Sequence, residues 1–519
     1  MEKSKVNMEI DVLISTAGEG SRLHKINSDI NKSLLPYLHK PIIHHIIEKI
    51  PSNFQIGILL GYKSQQVKDY LSIAFPSRKI RYIYVDDWTS IKSGTKHSLL
   101  FAQELLQDSF WYFPCDGIYE NSDFLSQKFS EDVFLVSKID KINAHHYLTL
   151  TLKNKRIHKQ FFKASEITGD YAFTGVMRIS DKKLFFSRLR SSNSREFVSI
   201  IPEKSLTFLT KNWKDLGNSE MYENEISKME EFDFSKTGEY TYQLEGKIVK
   251  WWADTSIPRL KLEKPRINPE VFPKNIKTLN QFLSYTKASG SNFYESVNKT
   301  SFLSLLVWLQ NKVWTQVEAN IEENLHQFYK DKTLSRINLL GEKKALDSYN
   351  PKNINGLDVQ PWQYYFENIN WNLLIKKNKP SFIHGDLQFD NILYESQTEE
   401  FVLIDWRYDF AGLKSEGDLY YDFAKMLGGI YVNYQEIKKG KFHFSYENEK
   451  AVFSLPLVNE AKELISILKS FVESVGLDIS KVEQLVPLIF WNMAPLHKEP
   501  FSNLCWSLGI MHYEILNRC

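Results

Sequence analysis

Cysteine is nearly absent: Cys115, Cys505 and Cys519 are the only three in 519 residues. An odd, sparse set without metal-type spacing excludes a disulfide framework. Cys115, in an apolar run, reads as a small strand residue rather than a nucleophile. An excess of one charge is also missing. The 65 lysines and arginines offset 63 aspartates and glutamates to a net +2, so nothing points to nucleic acid or an acidic surface as partner. No apolar run reaches the roughly 20 residues that span a bilayer. The opening MEKSKVNMEIDVLIST lacks the apolar core of a signal peptide. Repeats, low-complexity tracts and long flexible linkers are absent too. The expectation is a cytoplasmic protein without membrane insertion, acting on small molecules, with oligomerisation left open.

What is present suffices for several domains at about 150 residues each. Residues 8–230 alternate strand and helix patterns, which predicts a largely parallel sheet with helices on both faces. The charged stretch 228–238 closes that unit, dividing the chain into 1–232 and 233–519. A small strand-rich lobe is expected over about 233–296 and a larger lobe over about 297–519. Within the latter, 301–332 has helical spacing, 340–360 reads as a loop and 456–517 as two or three closing helices.

The strongest chemical signal begins at His384, HGDLQFDN, and ends in the apolar strand FVLIDW. It sets Asp386, Asn391 and Asp405 in the order that phosphoryl transfer from a magnesium nucleotide requires. One carboxylate orients the attacking hydroxyl, while an amide oxygen and a second carboxylate hold metal ions. These residues resemble the aminoglycoside phosphotransferase and choline kinase family. The resemblance implies that Asp386 is the catalytic base, that Asn391 and Asp405 hold Mg²⁺, and that His384 is structural. The segment GDLYYDFAKML from Gly417 is similar to a further family segment, in which Asp422 braces the catalytic loop. A strand lysine on the nucleotide phosphates is also implied. Lys250 in GEYTYQLEGKIVKWWAD is the candidate and Lys247 its rival. No Gly-x-Gly-x-x-Gly loop precedes it. The acid that would partner this lysine is not identifiable: Glu263 is available, but SIPRLKLEKPRINP is broken by prolines and predicts a poor helix.

The second signal lies near the N-terminus. DVLISTAGEGSRL is a buried strand running into a glycine turn, where backbone N–H groups can close on phosphate oxygens. Arg22 adds a guanidinium and Lys32 a point charge. A Gly94-Thr95 turn opens a helix, a strand ends at Asp116, a strand carries an internal glycine in GDYAFTGVMRIS, and Asp215 precedes another helix. In this order the segments resemble the nucleotidyltransferase family that makes nucleotide-activated sugars and phosphocholine. The resemblance implies that Gly18, Gly20 and Arg22 hold nucleotide phosphates, that Lys32 contacts phosphate, that Gly94 and Thr95 lie near the base, and that Asp116 and Asp215 bind Mg²⁺. Asn31-Lys32-Ser33 stands where the family has Pro-Lys-Pro. The family's Glu-Lys acceptor pair has no clear match, with IHKQFFKAS the nearest piece. These departures bear on the acceptor more than on the reaction. His44 and His45 read as packing residues.

The fold expected is α/β: an N-terminal doubly wound, Rossmann-like nucleotidyltransferase sheet plus a C-terminal bilobal, kinase-like α+β domain. The two chemistries compose into a bifunctional enzyme. ATP phosphorylates a sugar or amino alcohol, and an NTP, with CTP favoured, then activates the phosphate as a precursor for surface polysaccharide such as capsule. Arg407 after the Asp-Trp pair suits a carboxylate or phosphate on the acceptor better than a cation. The competing readings are a choline kinase with CTP:phosphocholine cytidylyltransferase, one catalytic half with a degenerate binding module, and an antibiotic-modifying kinase with a passenger domain. Trp251, Trp252, Trp308, Trp314, Trp362 and Trp371 read as core, against an aromatic box for a quaternary ammonium.

Overall fold

A computed structural model describes residues 9–23, 26, 28–88, 94–163, 165, 167–228, 238–343 and 349–518. The chain divides into two compact units, Met1–Met229 with Tyr240–Glu245, and Glu230–Glu239 with Gly246–Cys519. The expected division at 232/233 falls outside the described residues.

In the first unit, apolar runs form strands. β1 is Ile10–Ser15, β2 Ile56–Leu60, β3 Ile80–Tyr84 and β4 Leu106–Pro114. β2 reads IGILL and is buried at every residue, as a central parallel strand must be. These four pair in parallel in the order β3-β2-β1-β4. Helices α1 Ile42–Ile47, α2 Ser64–Ala74 and α3 Thr95–Ala102 lie along the connections between them. The strand order is that of half a doubly wound sheet.

Beyond β4 the expectation of a largely parallel sheet fails. β5 Val133–Lys138, β6 Thr149–Lys153, β7 Arg156–Phe161, β8 Tyr171–Ile179 and β9 Leu206–Leu209 extend it to nine strands, β3-β2-β1-β4-β8-β5-β9-β7-β6. Helix α4, Lys182–Ser191, stands between β8 and β9, and α5, Ser219–Ser227, follows β9. β8 runs antiparallel to both β4 and β5, and β6 and β7 form a hairpin. The reason is connection length. Asn154 and Lys155 both take positive φ, 52° and 58°, in a two-residue turn, and no crossover helix fits there. The site depends on one register feature. Ser15 at the end of β1 pairs with Pro114 at the end of β4, so the loops that follow both strands leave the same edge.

In the second unit, β10 Lys247–Trp252, β11 Lys277–Leu279 and β12 Phe282–Thr286 form antiparallel pairs, β12 in the middle. Between β10 and β11 stand two short helices, α6 Ile257–Leu260 and α7 Glu263–Ile267, where a poor helix was expected. Pro258 and Pro265 fall in the first turns, where a missing N–H breaks no helical bond. The run 301–332 is not one helix. Helix α8, Lys299–Lys312, stops short, and Thr315 and Val317 then exchange backbone bonds with Phe382 and Pro380. β-branched Val313, Thr315 and Val317 favour that extended course. A π-helical turn, His326–Asp331, leads into α9, Lys332–Lys343. A hairpin of β13 Ile392–Glu395 and β14 Glu400–Leu403 is entered at Asn391 and left toward Asp405. Helix α10, Leu419–Tyr431, is buried from Leu419 to Ile430 within the core of this unit. Three helices close the chain, α11 Ala461–Ser474, α12 Ile479–Met493 and α13 Phe501–Arg518. Among the described residues, no helix is long and apolar enough to cross a membrane.

Candidate active sites

In the first unit, the loop after β1 carries Gly18, Gly20 and Arg22. Gly18 faces open space. Gly20 takes φ +69°, and a Cβ there would lie 3.0 Å from Lys32 Cδ, so the turn closes directly on that lysine. Lys32 Nζ stands 2.8 Å from Asp116 Oδ2. Burial opposes the lysine's charge, but Asp116 outweighs it, and its pKa is raised above the ordinary value. Burial opposes the Asp116 charge likewise, and Lys32, then Arg22, holds its pKa below the usual range. Lys32 is positioned from below by Asn31, which is fully buried. Its Nδ2 donates to the carbonyls of Thr16 and Tyr62, its Oδ1 accepts from Ser33, and its N–H donates to Gln66 Oε1. The asparagine that replaces a proline in the family pattern is therefore a four-way bracket.

Asp215 reaches the same place from the other direction. Residues Lys214–Asp215 pair antiparallel with Gly117–Ile118, and Leu216 N–H donates to Asp116 O. Burial, then the charge of Asp116, raises the pKa of Asp215. Gly217 fixes the geometry. A Cβ there would sit 2.9 Å from Asp215 Oδ1 and 3.1 Å from Asp116 Oδ2, so two carboxylate oxygens converge on a space kept free of side chain. Tyr147 stands beside Asp215, and burial, then that carboxylate, keeps its hydroxyl protonated. Gly94 and Thr95 are placed differently. Gly94 caps α3 against the Arg195 carbonyl, and Thr95 Oγ1 donates to Glu196 at 2.7 Å. Those contacts do not reach the Lys32–Asp116 pair. Cys115 follows β4 buried, its thiol pushed up to about 12 by burial. His44 and His45 bond Tyr70 and the Tyr37 carbonyl, as packing residues do.

In the second unit, three segments meet. Asn391 donates through Nδ2 to Asp386 O at 2.8 Å, which leaves its amide oxygen as the atom available to a cation. Ile404 N–H donates to Asn391 O, and His384 Nε2 bonds Ile404 O at 2.9 Å. The backbone beside Asp405 is thus tied to both Asn391 and the 384–386 loop. Asp405 takes φ +56° at the exit of β14 and forms an ion pair with Lys250. Burial works against the Lys250 charge and Asp405 restores it, raising the pKa. Lys247 stands three positions earlier on the same strand, on the opposite face. Glu263 pairs with Arg266 at 3.4 Å, not with Lys250.

The loop is held from behind. Asp422 Oδ2 accepts the His384 N–H at 2.9 Å and its Oδ1 the Gly385 N–H at 2.7 Å. Trp314 Nε1 donates to it as well. Lys264 Nζ donates to the Ile383 and His384 carbonyls, and burial brings its pKa down to about 7. His384, fully enclosed, is lowered to about 3 by burial. Lys425 Nζ lies 2.7 Å from Asp386 Oδ1. Sequence reasoning missed Lys425, Lys264, Tyr147 and Gly217. For Lys425 a signal existed, since it stands three residues after Asp422 and shares its helix face.

The tryptophans form no vacant box. Trp251 and Trp252 are core, Trp308 packs on Phe401, Trp362 on Trp506, Trp314 bonds Asp422, and Trp371 sits 6.0 Å from Lys330. Trp252 and Trp406, with Tyr408, lie around the chain's own Lys261.

No protein-family model matches the chain. Its N-terminal part is similar to the bifunctional protein GlmU of Methanococcus maripaludis strain C5, 29% identical over 176 residues, 33% of this chain and 40% of that protein. It is similar also to the bifunctional protein GlmU of Methanocaldococcus jannaschii, 25% identical over 221 residues, 40% of this chain and 51% of that protein. The chain thus spans two fifths to half of the length of these relatives. Among solved structures, a UDP-glucose pyrophosphorylase complexed with UDP-glucose overlaps 42% of this chain and 98% of its own, at 17% identity and a TM-score of 0.37. HddC from Yersinia pseudotuberculosis overlaps 42% and 99%, at 19% identity and a TM-score of 0.34.

Proposed function

We propose that the first unit is a nucleotidyltransferase and the second a small-molecule kinase acting one step earlier on the same compound. The observation that carries the first assignment is the convergence of Asp116 and Asp215 on Gly217 beside Lys32, in a region similar to GlmU proteins. Two carboxylates suit Mg²⁺, which is held by one or two protein carboxylates and completed by substrate phosphates and water. Asp116 and Asp215 would hold it, and it supplies positive charge against polyphosphate oxygens. The acceptor's phosphate oxygen attacks the α-phosphorus of an NTP, the α–β bridge breaks, and pyrophosphate leaves. Lys32 and Arg22 lie where charge collects on the phosphates, and no protein nucleophile is needed. CTP remains the favoured nucleotide on resemblance.

The second assignment is supported by Asp386, Asn391, Asp405 and Lys250 gathering around one loop. Asp386 accepts the proton of the acceptor hydroxyl as its oxygen bonds to the γ-phosphorus and ADP departs. The neighbouring Lys425 holds that carboxylate in an ion pair. Asn391 and Asp405 would hold Mg²⁺, and Lys250 would meet the phosphates once it leaves Asp405. The product, a phosphomonoester, is what the first unit needs, so the pair yields a nucleotide-activated precursor of the kind that feeds surface polysaccharide.

The test is to incubate the full chain with Mg²⁺, ATP, the four NTPs and a panel of sugars and amino alcohols, and to identify products by mass. Asp386→Ala should abolish the phosphomonoester, and Asp116→Ala should let it accumulate. If Asp386→Ala leaves all turnover intact, the second unit is a binding module. Phosphorylated choline or aminoglycoside would instead support the readings built on cationic acceptors.

A further inference from the structure

Four cationic side chains, Lys425, Arg407, Lys332 and Arg336, gather near Asp386, and Asp386 and Asp409 favour the Arg407 charge. Lys425 is paired with Asp386. Arg407 donates through Nε to Gly385 O, one residue before Asp386, and its Cζ stands 5.1 Å from the centre of the Phe328 ring and 5.8 Å from that of Tyr421. Lys332 Nζ lies 3.8 Å from the centre of the same Phe328 ring. Arg336, one turn further along α9, shares the face of Lys332 and donates to Asn492 O at 3.1 Å. Among the described residues, Lys332, Arg336 and Arg407 have no carboxylate within ion-pair distance. Burial, then repulsion from Arg407, Arg336 and Lys425, drives the Lys332 pKa well below the ordinary value. Cations held together without ion pairs in a half-buried place are unfavourable unless an anion joins them.

We propose that the acceptor whose hydroxyl faces Asp386 carries an anionic group, a carboxylate or a phosphate, received by Lys332, Arg336 and Arg407. This rests on the kinase reading of the second unit and narrows its substrate class to acidic hydroxy compounds. Choline and aminoglycosides would bring a further positive charge to a place where Lys332, Arg336 and Arg407 already lie together.

The experiment compares matched acceptors with the full chain and Mg²⁺·ATP, reading ADP release: glycerol, glycerate and glycerol phosphate, a neutral hexose with its uronic acid and its phosphate, and choline. Hydrogen bonds to charged groups are worth enough for an acidic member to exceed its neutral counterpart about tenfold or more in kcat/KM. The acidic member that wins says whether the anion is carboxylate or phosphate. Lys332→Gln with Arg336→Gln should remove that preference, chiefly by raising KM for the acid. Preference for a neutral or cationic member, a preference that survives the double exchange, or ADP release by no member while Mg²⁺·ATP binds, each overturns the inference. The reading beneath it fails separately, if the protein does not bind Mg²⁺·ATP or if Asp386→Asn leaves phosphoryl transfer unchanged.

Discussion

Asp422 and Lys425, three residues apart on one buried helix, grip the same loop by different handles. Asp422 takes the backbone N–H groups of His384 and Gly385, and Lys425 takes the side chain of Asp386. One residue sets where the loop is, and the other sets where its carboxylate points. The loop that follows β-strand Pro380–Phe382 is therefore shaped by a helix more than thirty residues downstream.

Removing the first handle strands several groups at once. Asp422→Ala leaves two buried N–H groups and Trp314 Nε1 without an acceptor, and Lys264 without the carboxylate that most favours its charge. The expected loss is about 3–5 kcal/mol, the scale of a broken buried charge pair. Hydrogen exchange at the His384 and Gly385 amides, followed by mass, should accelerate accordingly. Asp422→Asn keeps one acceptor and should have a smaller effect, and unchanged exchange in both variants would contradict the brace.

Gly217 tests the carboxylate pair without touching it. Gly217→Ala places a methyl group about 3 Å from both Asp116 and Asp215, at the point where their oxygens converge. Divalent ion affinity, read by Mn²⁺ titration, should fall about tenfold or more, and nucleotidyl transfer with it. Undiminished Mn²⁺ binding would mean that the cation sits elsewhere.

Asn31→Pro would place there the residue of the nucleotidyltransferase pattern that this segment resembles. The backbone already suits it, with φ at −63°. The substitution nevertheless removes the N–H that Gln66 accepts and every side-chain bond to Thr16, Tyr62 and Ser33. It should destabilise the first unit by about 2–4 kcal/mol, seen as a lower urea midpoint, and displace Lys32. A gain in stability would show that the bracket is dispensable.

Particular residues show how far the sequence could be read. The loop from His384 to Asn391 was legible because its donors and acceptors lie within eight residues of one another. Lys32 and Asp116 were each legible as site candidates, but their pairing was not, because it needs the loops after two strand ends brought side by side. The right half of the first sheet was not legible, because antiparallel β8 and parallel β2 are equally apolar, and only the two-residue turn at Asn154-Lys155 separates a hairpin from a crossover. Gly217 closes the segment WKDLG, but its role exists only once Asp116 arrives from a hundred residues away. Lys332 and Arg336 look like ordinary surface cations in sequence, whereas Arg407 stands out by its place after the Asp-Trp pair. They become a cluster only when α9 and the segment after β14 meet at Phe328.

Acid should weaken both units, through histidines that are buried without charge. Burial lowers His44 to about 4 and His384 to about 3, against about 6.5 in an unfolded chain. Above pH 6.5 neither state binds a proton at these rings, and they add nothing to the pH dependence. Below it the unfolded chain takes up protons that the folded rings refuse, so stability drops as pH falls through 6.5. The drop continues until about pH 4 for His44 and about pH 3 for His384. Each ring contributes a slope of about 1.4 kcal/mol per pH unit, or roughly 1 kcal/mol lost at pH 5.5. Urea unfolding at pH 7.5 and 5.5 measures the difference for the first unit, and His44→Gln should shrink it by about that amount. A difference that stays the same would assign the acid sensitivity to other groups, among which Asp215, raised by burial and by Asp116, has the opposite sign.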